Sequence, residues 1–155
     1  MITQQDIENA QKLWGEGVVK IGSLKNNRTE CETFCKNFLD QLYAFELGNV
    51  LFKPTKCAFE QFRPTKEEAL SYFISGDDRK CHEDKGFAIQ PWTKVRFENS
   101  GGLILDDYRA IAMGNYFFTD TDGNEAKVEF TFGYKLVDGE LKIDLHHSSF
   151  PFPNP

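Results

Sequence analysis

Residues 126–149, AKVEFTFGYKLVDGELKIDLHHSS, decide the fold. From Ala126 to Val137 the chain alternates with period two. Val128, Phe130, Phe132, Tyr134 and Leu136 fall on one face, and Lys127, Glu129, Thr131, Gly133 and Lys135 on the other, because successive strand side chains point to opposite sides. Asp138-Gly139 is a two-residue hairpin signal, and Glu140 to Ser148 reads as the returning strand. Strict alternation groups Leu141, Ile143, Leu145 and His147 on the apolar face and leaves Lys142, Asp144, His146 and Ser148 opposite. A step of one residue would exchange the two sets.

Working outward, period-two segments begin after Gly86: Phe87 to Glu98, Leu103 to Leu105 and Arg109 to Thr119, separated by Asn99 to Gly102 and by Asp106-Asp107, with Asp120 to Asn124 leading into the strand at Ala126. The first half reads as helices. Thr3, Thr29 and Thr65 each precede an acidic residue by three positions (Asp6, Glu32, Glu68), the spacing in which hydroxyl and carboxylate cap the first backbone donors reciprocally. The first helix carries Ile7, Ala10, Leu13, Trp14, Val18, Ile21 and Leu24 at helical spacing. Gly15, Gly17 and Gly22 within it imply close packing of another element. The second spans about Glu30 to Phe45, the third follows Pro64, and a short strand, Asn49 to Pro54, stands between them. Helices followed by a meander give an α+β architecture with helices against one sheet face.

At 155 residues the chain is expected to form one domain over 1–155, able to bury roughly 70% of its unfolded surface. Aromatic residues make up 14%, with fifteen Phe, which points to an aromatic core or pocket. A net charge of -6 opposes a phosphate backbone or an anionic membrane as partner, since both require clustered cations. The N-terminal residues carry no basic-then-apolar leader pattern, so a cytoplasmic location is expected. Cys31, Cys35, Cys57 and Cys81 form no framework of paired spacings and read as free thiols. Cys31, Cys35, Cys81 and His82 lack zinc-site spacing, so neither a metal nor a cofactor is expected.

The three capped helices, the Val50-Leu-Phe-Lys-Pro54 segment and the closing run from Asp138 through Ile143 to Ser149 resemble the association domain of calcium/calmodulin-dependent kinase. They are similar as well to its SnoaL-like and ketosteroid-isomerase-like relatives in the nuclear transport factor 2-like superfamily. The resemblance covers nearly the whole chain. It implies a cystatin-like cone, with three N-terminal helices packed on a strongly curved antiparallel sheet, a pocket between them, and a homodimer through the outer sheet face. Glu129 and His147 match the association domain, whereas Ala112 and Phe132 stand where it carries pocket arginines.

The function expected on these grounds is a small-molecule binder with an aromatic pocket for a hydrophobic or aromatic ligand. Trp14, Tyr43, Phe62, Tyr72, Trp92, Tyr116, Phe130, Phe132 and Tyr134 are its candidate lining. The alternatives are a cofactor-independent isomerase, cyclase or hydrolase with His147 as the proton-exchanging group, and a noncatalytic oligomerisation module. On the strand from Phe87 to Glu98, Gln90, Trp92, Lys94 and Arg96 face the same way, a stripe that suits an anionic aromatic ligand or a solvated or interface face. Trp92-Thr93-Lys94 and Asp120-Thr-Asp122 superficially resemble phosphoribosyl-AMP cyclohydrolase, but no cysteine follows Cys81 to complete its zinc site.

Overall fold

Local capping chemistry sets the helix starts. The computed structural model describes residues 1–153; residues 154 and 155 of the expected 1–155 range lie outside the described residues. Thr3 Oγ1 accepts from the Asp6 amide at 3.1 Å while the Asp6 carboxylate accepts from the Thr3 amide at 2.8 Å, which opens α1 (Gln4–Ser23). Helix α2 (Arg28–Leu42) is capped by Asn27, not Thr29: the Asn27 side-chain oxygen accepts from the Glu30 amide at 3.2 Å, which places Thr29 inside the first turn. It also ends earlier than expected. Tyr43 is already extended, forms a bridge to Ile143, and leads the chain onto the sheet. Helix α3 (Lys66–Ile74) starts at Thr65 as expected. An added Cβ on Gly17 would lie 2.4 Å from the Phe38 ring, so α1 and α2 meet at a distance only glycine permits there.

The sheet contains β1 (Leu51–Lys53), β2 (Lys94–Leu105), β3 (Arg109–Thr119), β4 (Glu125–Val137) and β5 (Glu140–Ser149), in the order β1-β5-β4-β3-β2. Strands β2 to β5 pair antiparallel and β1 joins β5 in parallel. The fold is the expected α+β cone. Two boundaries differ from the expectation. Phe87–Ile89 is a short 3-10 turn after left-handed Gly86, so strand geometry begins only at Lys94. In β2 the Asn99–Gly101 stretch is a bulge, not a break, because pairing passes from Glu98↔Asn115 to Gly102↔Met113.

A second bulge matters more. Gly133 pairs with Leu145 and Tyr134 pairs with Ile143, which leaves Asp144 without an opposite residue. The extra residue reverses the alternation of β5 beyond it. Ile143, His146 and Ser148 are therefore buried beside Tyr134, Phe132 and Phe130, while His147 is exposed on the outer face. The expectation that His147 extends the apolar stripe is corrected for this reason. Arg109 holds the bulged residue, donating to both Asp144 carboxylate oxygens at 2.7 and 3.1 Å.

Two loops cross the open end of the cone, residues 54–65 and 75–86. They are joined by Arg63 and Asp84, whose side chains are both fully buried. Arg63 donates to the two Asp84 oxygens at 2.9 and 2.7 Å, and Ser71 donates to Asp84 at 2.6 Å. Glu83 accepts the amides of Ala58, Phe59 and Glu60 at 2.7, 2.9 and 2.9 Å. These hydrogen bonds hold its carboxyl down at about 2. Removing one member of the buried pair strands the other charge, so Asp84→Ala should destabilise the fold by about 3–5 kcal/mol. Urea denaturation would measure the loss; a change below about 1 kcal/mol would mean that the pair carries no such burden.

Candidate active site

The bulge at Asp144 turns His146 into the cone, where it is 2% exposed. Its ring stacks on Phe52 at 4.8 Å and packs against Phe132 at 4.1 Å and Trp14 at 5.7 Å. Both ring nitrogens have partners. Nδ1 is 2.8 Å from the Tyr43 hydroxyl, and Nε2 is 3.0 Å from the Tyr116 hydroxyl. Trp14 Nε1 donates to the Tyr43 oxygen at 3.0 Å. Beyond Tyr116 the hydroxyl of Ser148 follows at 2.5 Å, and Thr55 Oγ1 lies 2.6 Å from that of Ser148. Six side chains thus form one continuous hydrogen-bonded row, Trp14, Tyr43, His146, Tyr116, Ser148 and Thr55.

Each member arrives on a different element for a local reason. Trp14 belongs to the buried stripe of α1, and Tyr43 is delivered by the early end of α2. Thr55 follows Pro54, directly after the three residues of β1, and Tyr116 lies on the inner face of β3. His146 and Ser148, two apart on β5, share a face.

Burial governs the electrostatics. It pushes the His146 pKa well below that of ordinary histidine, with the nearby His147 adding to the effect. It pushes the hydroxyls of Tyr43, Tyr72 and Tyr116 above the ordinary tyrosine range. At neutral pH the row is uncharged and works by hydrogen bonding alone.

Along its His146, Tyr116, Ser148 and Thr55 members the row borders a cavity of about 10 Å³, closed by Trp14, Phe52, Tyr72 and Phe87. That is the lower limit for one water molecule. Tyr72 and Phe87 also line a larger cleft of about 620 Å³ on the protein surface, with Lys56, His82 and Lys85 on its rim. Among the described residues no group of three His, Cys, Asp or Glu side chains comes together as metal ligands. The four cysteines are free.

The residues singled out in the sequence separate into distinct environments. Trp14, Tyr43, Tyr72 and Tyr116 bring their polar atoms to the row or to the cavity wall. Phe130 and Phe132 are buried core beneath it. Tyr134 is buried too, and its hydroxyl has no partner among the described residues. Trp92 is buried, but its indole donates to the Phe87 carbonyl at 2.9 Å, behind the cavity wall. The expected stripe with Lys94 and Arg96 does not form, because the strand begins after Trp92; Arg96 instead stacks on Phe117 at 3.8 Å and bonds Glu98 and Glu125. Phe62 is 67% exposed and lines neither the cavity nor the cleft. Glu129 and His147 lie together on the outer face. His146, Ser148 and Thr55 escaped the sequence reading; the one available signal was the His-x-Ser spacing, which puts both residues on whichever face the strand presents.

The sequence model of the metal-independent carbonic anhydrase family matches residues 5–150. The chain belongs to this family. A metal-independent carbonic anhydrase of the cyanobacterium Nostoc sp. (strain PCC 7120) is 37% identical, over 97% of this chain and 75% of that protein. The crystal structure of a cyanobacterial iota-carbonic anhydrase complexed with bicarbonate superposes with a TM-score of 0.93 at 36% identity, covering 99% of this chain and 94% of the other. A putative calcium/calmodulin-dependent kinase II association domain from Xanthomonas campestris shares the fold at a TM-score of 0.63 and 19% identity, covering 97% of this chain and 89% of that one.

Family membership overturns the expected binder of hydrophobic or aromatic molecules, along with the alternatives of an isomerase, cyclase or hydrolase using His147 and a noncatalytic oligomerisation module. The physical reason is visible inside the cone. The aromatic residues taken for pocket lining fill it, and the space they leave is the size of a water molecule, not of a ring.

A depressed histidine pKa means that the folded chain binds fewer protons at this site than the unfolded chain. The stability this contributes is complete above the unfolded value, 6.5, and is lost as pH falls below it, at up to about 1.4 kcal/mol per pH unit. Denaturation of wild type and His146→Gln between pH 7 and 5 should show that extra slope in the wild type only. Parallel curves would place a charged or solvated imidazole at this position.

Proposed function

We propose that the chain interconverts carbon dioxide and bicarbonate without a metal, at the end of the cone where Thr55, Tyr116 and Ser148 meet. The observation that carries this reading is the row of neutral hydroxyls tied to a buried histidine inside apolar walls, in a fold shared closely with an enzyme crystallised with bicarbonate. Carbon dioxide is apolar and suits the aromatic walls, whereas bicarbonate needs hydrogen-bond donors. In hydration, the oxygen of a water molecule bonds to the carbon, and one C–O π pair moves onto the oxygen facing the Thr55 hydroxyl, which Ser148 polarises. The water's proton leaves to a second water toward the cleft. Preorganised donors in a low-dielectric site stabilise such developing charge more than water does.

A cavity of about 10 Å³ does not hold bicarbonate as it stands. Entry requires displacement on the side of Thr55, Tyr72 and Phe87, the side shared with the cleft. The cleft favours an anion, because Lys56 and Lys85 on its rim have no acidic partner among the described residues, whereas Glu83 is occupied by three backbone amides and Asp84 by Arg63. A homodimer through the outer sheet face, where Ile104 and Met113 are exposed, and a cytoplasmic place of action belong to the same proposal. No helix among the described residues is long and apolar enough to cross a membrane.

Stopped-flow hydration of carbon dioxide with a pH indicator tests the reaction. Protein treated with a strong chelator should accelerate hydration as well as untreated protein, and Thr55→Val should lower kcat/KM by about 10²-fold, the usual cost of one lost oxyanion donor. No acceleration by the wild type, or its loss on chelation, would overturn the proposal.

A further inference from the structure

The row of hydrogen bonds has a direction, and Trp14 sets it. An indole N–H donates and never accepts, so the Tyr43 oxygen is the acceptor of that 3.0 Å bond. The Tyr43 hydroxyl has one proton of its own, and its other partner is His146 Nδ1 at 2.8 Å. If Nδ1 were protonated, as in the other neutral tautomer or in the imidazolium, Tyr43 would receive two donors and its own proton would be left in a fully buried position without an acceptor. Buried donors are rarely left so. The bare nitrogen is therefore Nδ1, and the proton of the neutral ring is on Nε2. From Nε2 the direction continues: Nε2–H donates to the Tyr116 oxygen, Tyr116 donates to Ser148, Ser148 donates to Thr55, and the row ends on the hydroxyl of Thr55, which lines the cavity.

We propose that His146 works as a fixed hydrogen-bond donor into the hydroxyl row and not as the proton acceptor of the reaction, with Tyr43 and Trp14 as the positioning residues that hold it so. A proton drawn inward from the attacking water through Thr55, Ser148 and Tyr116 would arrive at a nitrogen already protonated. The same row, polarised outward, ends on the Thr55 hydroxyl as the donor for an anionic oxygen at the cavity. The proton of hydration passes to solvent water at the cleft side, and the imidazole keeps one form through the cycle. The role in turnover rests on the proposed reaction; the tautomer and its cause rest on geometry alone.

Nitrogen-15 NMR of the wild-type imidazoles, assigned with His82→Ala and His147→Ala, tests the geometry directly. At pH 7 the His146 signals should be those of a neutral ring with a bare Nδ1 and a protonated Nε2. Tyr43→Phe should move the two nitrogen shifts toward each other as the tautomer becomes mixed. In hydration kinetics, His146→Gln keeps an N–H donor in place of Nε2 but has no basic nitrogen. It should retain activity within about 10-fold of wild type, while His146→Ala should lose about 10²-fold or more. A protonated Nδ1 in the wild type, or a folded His146→Gln as inactive as His146→Ala, would overturn the inference. An inactive wild type with the expected nitrogen shifts would instead refute the proposed reaction and leave the positioning by Tyr43 and Trp14 standing.

Discussion

A histidine ring shut away from water is tolerated only when both nitrogens find partners, and the interior of this cone is arranged around that requirement at His146. An unpaired buried polar group costs about 1–3 kcal/mol, a large fraction of the roughly 5–15 kcal/mol by which a domain is stable. Tyr43 and Tyr116 supply the partners, and each then needs its own. Trp14 meets that need at one end and Ser148 and Thr55 at the other. A single polar ring thus fixes the side chains of α1, the exit from α2, β3, β5 and the loop after β1. The surrounding rings, among them Phe52, Phe73, Phe97 and Phe132, complete the enclosure.

In the proposed reaction, that enclosure is what lets neutral side chains act on carbon dioxide. Hydroxyl donors are weak in water because solvent competes for them. Among aromatic walls they act at lower effective dielectric, and the protein has already met the cost of orienting them. The small cavity is the size of one water molecule and has to widen for the reactants. The loop that carries Thr55 is tied to residues 75–86 by Arg63, Asp84 and Glu83, so in the proposed reaction these contacts restrain its opening.

The fold was legible in the sequence because its signals are local and repeated: hydroxyl-acid spacing at Thr3 and Thr65, alternation in residues 126–137, and Asp138-Gly139 between the last two strands. The site was less legible because it depends on Asp144, one residue with no opposite neighbour. Strict alternation from Ile143 assigns His147 to the interior; the bulge assigns His146 and Ser148 instead. Nothing in the composition of residues 140–149 announces the extra residue, since its cause lies across the sheet in Arg109 and in Gly133, where an added Cβ would meet Leu145 at 2.8 Å. Thr55 was hidden for a related reason, being a loop residue whose partner Ser148 is 93 positions away in the chain. Composition points equally to an aromatic core or a pocket, and most of the excess is packed core.

The central claim, that the hydroxyl end of this buried row receives the anion, is tested most directly by a crystal structure of the protein soaked in bicarbonate. The account predicts density for the anion inside the cone, with an oxygen within hydrogen-bond distance of Ser148 Oγ or Thr55 Oγ1 and the Thr55 side of the cavity displaced to admit it. An anion bound only on the outer sheet face near His147, with the cone closed and unchanged, would contradict it.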